Sequence, residues 1–132
     1  MTDILFITPN NAAITYQSLS DKYAAIEPPT WALLLADSVR NKGGRVSMLD
    51  TLAEQLSDED SYDRVVKISP KLICFVVYGQ NVNAGTTSMS GATNNSKFLK
   101  SSDISVPIGF IGSHVQALPI ETLRKENRIR QV

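Results

Sequence analysis

Histidine, cysteine, serine and the carboxylates are the side chains able to do covalent or metal chemistry here, and the chain holds one His and one Cys. The histidine, His114, stands in "GFIGSHVQALP", residues 109 to 119, directly after an apolar run. Cys74 lies inside "LICFVVY", where a small buried thiol serves as core filler and no disulfide partner exists. A nucleophile would need an elbow such as GxSxG beside a histidine, and no serine has that setting. A zinc site would need carboxylates spaced to complete a His and Cys pair, and none are. No catalytic set and no metal-ligand set is legible. What the sequence offers instead is neutral hydrogen-bonding groups, Asn10, Asn11, Gln80, Asn81, Asn83, Ser113 and Gln116, with Gly79, Gly85 and Gly112 allowing close backbone approach.

These groups fall in loops because short apolar runs alternate with helical patterns. "ILFIT" (4–8), "RVSMLD" (45–50), "KLICFVVY" (71–78) and "VPIGFIG" (106–112) have the length and β-branched content of strands. The first and third are continuously apolar, as in strands covered on both faces. "PPTWALLLADSVRNKGG" opens with prolines, spaces Ala32, Leu35, Ala36 and Val39 along one face and ends in Lys42, Gly43 and Gly44, which predicts a helix. Ser57 and Asp60 form a capping-box pattern ahead of Tyr62, Val65 and Val66, with Pro70 as the stop. Residues 84–101, rich in Gly, Ser, Thr and Asn, still place Met89, Ala92 and Leu99 at helical intervals, and a helix is expected there over the alternative of a loop. "LPIETLRKENRIR" predicts a last helix from Pro119.

The alternation argues for a doubly wound, flavodoxin- or Rossmann-like α/β fold: a parallel sheet of four to five strands with helices on both faces. The 132 residues are expected to make a single domain, 1–132. A fifth strand is at best begun by "RIRQV", so the chain is expected to continue elsewhere.

In such sheets ligands sit beyond the carboxyl ends of the strands where the winding reverses. That rule selects the loops "TPNNAAITYQS", "DTLAEQ", "YGQNVNAG" and "GSHVQALP". The first carries neither GxGxxG nor GxxxxGK[ST], which disfavours dinucleotides and nucleoside triphosphates, and Thr8-Pro9 poorly replaces the phosphate turn of a flavodoxin. A phosphoacceptor would need aspartate where Tyr78 ends the third run. Candidate binding residues are Pro9, Asn10, Asn11, Tyr78, Gly79, Gln80, Asn81, Gly85, Gly112, Ser113 and His114, a lining suited to a large, nearly neutral, amide-bearing ligand.

Thirteen basic residues balance thirteen acidic ones, so no cationic field draws nucleic acid or anionic lipid. No apolar stretch approaches the roughly 20 residues that span a bilayer. "DILFIT" is too short for a signal peptide, and the lone cysteine fits a reducing, cytoplasmic setting.

"EPPTWALLLADSVRNKGGRVSMLDT", "PKLICFVVYGQN" and "VPIGFIGSHVQALPIETL" together resemble the cobalamin-binding domain at the N-terminus of cobalamin-dependent radical SAM enzymes. That pattern runs through a PP-x-G-L-x-x-L-A helix, a strand ending in Asp, and a strand leading into GGPH-x-x-x-x-P. Pro28, Pro29, Asp50, Gly112, His114 and Pro119 match it, from Asp3 to about Lys125 overall. Trp31 and Ile111 stand at two of its glycine positions, and Ser113 replaces its proline.

The resemblance implies cobalamin held base-off, its tail running between sheet and helices past Gly85, Ser88, Gly91 and Ala92. "TPNNAA" lacks the DxHxxG that supplies a histidine lower ligand in mutases and methionine synthase, so His114 is expected to pack or cap rather than bind cobalt. A 4Fe-4S cluster and S-adenosylmethionine would belong to a radical SAM domain of the same polypeptide, since that cluster takes CxxxCxxC and this chain has one cysteine. A cofactor-free interaction or regulatory module and a flavodoxin-like nucleotide binder are the competing functions.

Overall fold

A computed structural model describes residues 1–10, 29–78, 82–112 and 120, and for 82–88 the backbone only. The four apolar runs form strands β1 (Thr2–Thr8), β2 (Val46–Asp50), β3 (Pro70–Val77) and β4 (Ile108–Gly112). Between them run helices α1 (Thr30–Asn41), α2 (Asp58–Ile68) and α3 (Val82–Ser101). The strands pair in parallel in the order β2-β1-β3-β4, with Thr8 opposite Asp50, Ile7 opposite Phe75 and Val77 opposite Gly112. This is the expected Rossmann-like architecture, and β1 and β3, the two continuously apolar runs, are its central strands.

The pleat sends alternate residues to opposite faces. Leu5, Ile7, Ile73, Phe75, Val77, Leu49 and Ile108 face α2 and α3, where Val65, Met89, Ala92 and Leu99 close over them. Phe75 also stacks on Phe110, ring centroids 5.7 Å apart. Phe6, Cys74 and Val76 face the other way, onto Ala32 and Ala36 of α1. Helices therefore cover both faces, and the small residues at one-turn spacing in α1 let its backbone lie close to the sheet.

Local chemistry fixes the helix ends. Ser57 caps α2 reciprocally: its hydroxyl accepts the Asp60 N–H (3.1 Å) and the Asp60 carboxylate accepts the Ser57 N–H (3.3 Å). Helix α1 unwinds at Gly43, which takes φ +87°, a conformation open to glycine and costly for other residues. Pro70 does more than stop α2, since it opens β3 opposite Thr2, a strand-start position that needs no N–H. The dominantly Gly, Ser, Thr and Asn segment is helix α3 throughout. The helix predicted from Pro119 and the fragment "RIRQV" lie outside the described residues, apart from Ile120, which is helical and exposed.

At the amino ends of the strands, Asp3 ties two neighbours to β1. Its carboxylate accepts the Arg45 backbone N–H (2.9 Å) and the Arg45 guanidinium, and pairs with Lys71 Nζ at 3.1 Å. The Arg45 backbone N–H, then its side chain and Lys71, hold this carboxyl well below the usual carboxylate range. This polar clamp sits at the edge opposite the candidate site.

Candidate functional site

β1 leads through α1 to β2 on one side, while β3 leads through α3 to β4 on the other, so the winding reverses between β1 and β3. At their carboxyl ends the two connections diverge and leave a crevice, the position ligands take in sheets of this kind. Of the expected residues, Pro9 and Asn10 leave β1 there, Tyr78 leaves β3, and Gly112 ends β4 beside Val77. Gly85 lies in α3 with only its backbone described. Asn11, Gly79, Gln80, Asn81, Ser113 and His114 lie outside the described residues, as do Asn83's side chain and Gln116.

On the α3 side, Pro9 is buried and Asn10 exposed, and the Asn10 carbonyl rests on Gly91. A Cβ at Gly91 would stand 2.6 Å from that oxygen and 3.6 Å from Pro9 Cβ. Ala92 is fully enclosed in the core beside Val77 and Met89. The expected room for a cofactor tail at Gly91 and Ala92 is therefore occupied by protein: the small side chain at Gly91 admits the β1 exit loop, and Ala92 packs the sheet.

On the α1 side, the antiparallel course of α1 brings its first turn to the same edge. Trp31 stacks on Tyr78 with ring centroids 5.0 Å apart and planes inclined by 30°. Tyr78 is itself seated against the α1-face core with Ile111, while Trp31 keeps 52% of its surface exposed. Trp31 was not among the sequence-derived site residues. Its signal was present all the same: a proline-entered helix that returns to the next strand must start at the ligand edge, and the chain's single tryptophan sits in that first turn.

The floor is set by Gly112 and by the β2 exit. A side chain at Gly112 would collide with the Val77 carbonyl, so glycine is required where β4 meets β3. Beyond β2, the Thr51 hydroxyl (2.6 Å) and N–H (3.2 Å) both donate to the Thr8 carbonyl, and the Asp50 carboxylate accepts the Ala53 N–H at 3.0 Å. Asp50 thus closes a turn here.

Among the described residues, no three His, Cys, Asp or Glu side chains gather to hold a metal ion. Burial pushes the Cys74 thiol up to about 11, which keeps it protonated and unreactive near neutrality. At this edge the described residues present the Asn10 side chain, the Tyr78 phenol, the Trp31 indole and the backbone at Gly112. Among the described residues no helix is long and apolar enough to cross a membrane.

No family model matches the sequence, and no curated protein matches it. Among solved structures, the chain is similar to the radical S-adenosylmethionine methyltransferase TsrM from Kitasatospora setae, determined with cobalamin and a 4Fe-4S cluster bound. The TM-score is 0.68 over 96% of this chain, at 13% sequence identity. At that identity the likeness establishes the fold. The chain spans about a fifth of that protein, 21% of its length.

Proposed function

We propose that this chain is a cobalamin-binding domain, one part of a radical SAM enzyme, that holds the cofactor base-off without a protein imidazole and presents it to the catalytic domain for methyl transfer. The observation that carries the reading is the likeness of nearly the whole chain to a protein determined with cobalamin bound, which is independent of the motif resemblance in the sequence. The crevice supports it chemically, since a corrinoid is ringed by neutral amides and asks for hydrogen-bonding partners and apolar faces in place of a phosphate cradle.

In this reading Asn10 and the backbone of Gly112 meet the corrin's amide arms, Pro9 gives the loop a fixed exit from β1, and Tyr78 forms the apolar wall. Asn11, Gly79, Gln80, Asn81, Gly85, Ser113 and His114 complete the lining, His114 by packing or hydrogen bonding. Methylcobalamin supplies the transferable methyl group when bound. The domain's own work is to bind, orient and shield, while the radical chemistry belongs to a cluster-bearing partner domain. A cytoplasmic location accords with that oxygen-sensitive chemistry.

Titrating the purified chain with hydroxocobalamin tests this. A base-off absorption spectrum that His114→Ala leaves unchanged is expected, with thermal stabilisation growing as RT ln(1 + [L]/Kd), about 2.7 kcal/mol at a hundredfold excess over Kd. No spectral change and no stabilisation would instead identify a cofactor-free interaction module. Displacement by FMN would point to a nucleotide site.

A further inference from the structure

We infer that Trp31, backed by Tyr78, is a stacking platform for a planar heteroaromatic ring of the ligand, on the α1 side of the crevice and outside the protein interior. The inference rests on the cobalamin reading for the identity of that ring, the benzimidazole base of the nucleotide tail, and on the geometry alone for the platform.

Three observations support that location. The path along α3 is closed at Gly91 by the Asn10 carbonyl and at Ala92 by the core, so a ring has no opening beside those residues. The interior path on the α1 face is narrowed as well. Ile111 projects from β4 into the cluster that seats Tyr78, and Trp31 covers Tyr78 from the helix. The fold thus brings Trp31 and Ile111 together around Tyr78. Among the described residues at this edge, the outer indole surface is the flat face left exposed. Trp31 is half exposed although one side is held against Tyr78, so a large flat apolar face is fixed in orientation at the mouth of the crevice. Such a face is pre-paid: the tyrosine has already restricted the indole's torsions, and an incoming ring in offset-stacked geometry adds contact without ordering a free side chain.

The test uses the whole 132-residue chain and three probes: hydroxocobalamin, dicyanocobinamide, which has the corrin but no nucleotide, and α-ribazole, the benzimidazole nucleoside alone. Because Trp31 is the chain's only tryptophan, its fluorescence reports the platform directly. Stacking of a base on an aromatic side chain predicts that Trp31→Ala weakens hydroxocobalamin roughly 5- to 100-fold while dicyanocobinamide binding is unchanged. Trp31→Tyr should restore most of the loss, and α-ribazole should quench the wild-type emission. Trp31 lies on the surface, so its replacement leaves the core intact.

If Trp31→Ala alters neither corrinoid, or weakens both equally, the platform is refuted while cobalamin binding stands. If the chain refuses hydroxocobalamin yet α-ribazole quenches Trp31, the platform stands and the cobalamin reading falls. If hydroxocobalamin is refused and α-ribazole leaves the emission unchanged, both fall.

Discussion

Alanine in place of a mid-helix glycine ordinarily stabilises a protein by about 0.5–1 kcal/mol, because it removes backbone freedom from the unfolded chain. At Gly91 the opposite sign is expected. The new methyl group would stand 2.6 Å from the Asn10 carbonyl oxygen, well inside the 3.4 Å of ordinary contact, and the obstacle is backbone, so no side-chain torsion relieves it. Forcing a methyl group into a filled space costs about 1–3 kcal/mol. Set against the propensity gain, Gly91→Ala should destabilise the chain by about 1 kcal/mol, or about 3–5 °C in Tm for a domain of this size. Ser90→Ala, one residue earlier on the exposed side of α3, is the control and should be neutral or slightly stabilising. Urea denaturation followed by circular dichroism reads both, and equal m-values confirm that the native state is being compared with like unfolded states. A Gly91→Ala protein as stable as Ser90→Ala, or more so, would refute the packing of the β1 exit loop on α3. On the cobalamin-binding proposal, the same substitution should displace Asn10 and weaken hydroxocobalamin, read by the same titration.

Two further outcomes follow from the titrating groups. Asp3 is held below its ordinary value of 3.8 in the folded chain, so its clamp contributes stability above that value and loses it as pH falls through and below the carboxylate range. The stability difference between wild type and Asp3→Ala, measured by denaturation from neutral pH downward, should therefore shrink on acidification, and a constant difference would count against the clamp. Cys74, with its thiol pushed up to about 11 and enclosed between Phe6 and Gly109, should react with a thiol reagent near neutrality only at the rate of unfolding and become reactive at once in denaturant; fast labelling of the native chain would contradict its burial.

The fold was legible because its signals are local. The unbroken apolar runs at 4–8 and 71–78 mark strands with both faces covered, and they are the two central ones. Ser57 with Asp60 and the glycine pair at 43 and 44 mark helix ends through bonds made within a few residues. The small-residue segment is the helix its intervals predict, while the room expected beside it is filled at Gly91 and Ala92, and the reason is physical. Composition reports how little volume a side chain fills, whereas what fills the remainder comes from a loop distant in sequence, here the Asn10 carbonyl at Gly91. The site was legible in part by the same logic. The apolar runs put Pro9, Asn10, Tyr78 and Gly112 at the carboxyl ends of strands, where the structure has them, while the pairing of Trp31 with Tyr78 depends on how α1 lies over β1 and β3, which no local pattern encodes.

The Thr51 bonds to β1 have one more consequence. A carbonyl oxygen has two lone pairs, and at Thr8 the hydroxyl and amide of Thr51 engage both. The last acceptor of this central strand is thus saturated before any guest arrives. A molecule approaching β1 from its β2 side therefore finds no open acceptor at that carbonyl.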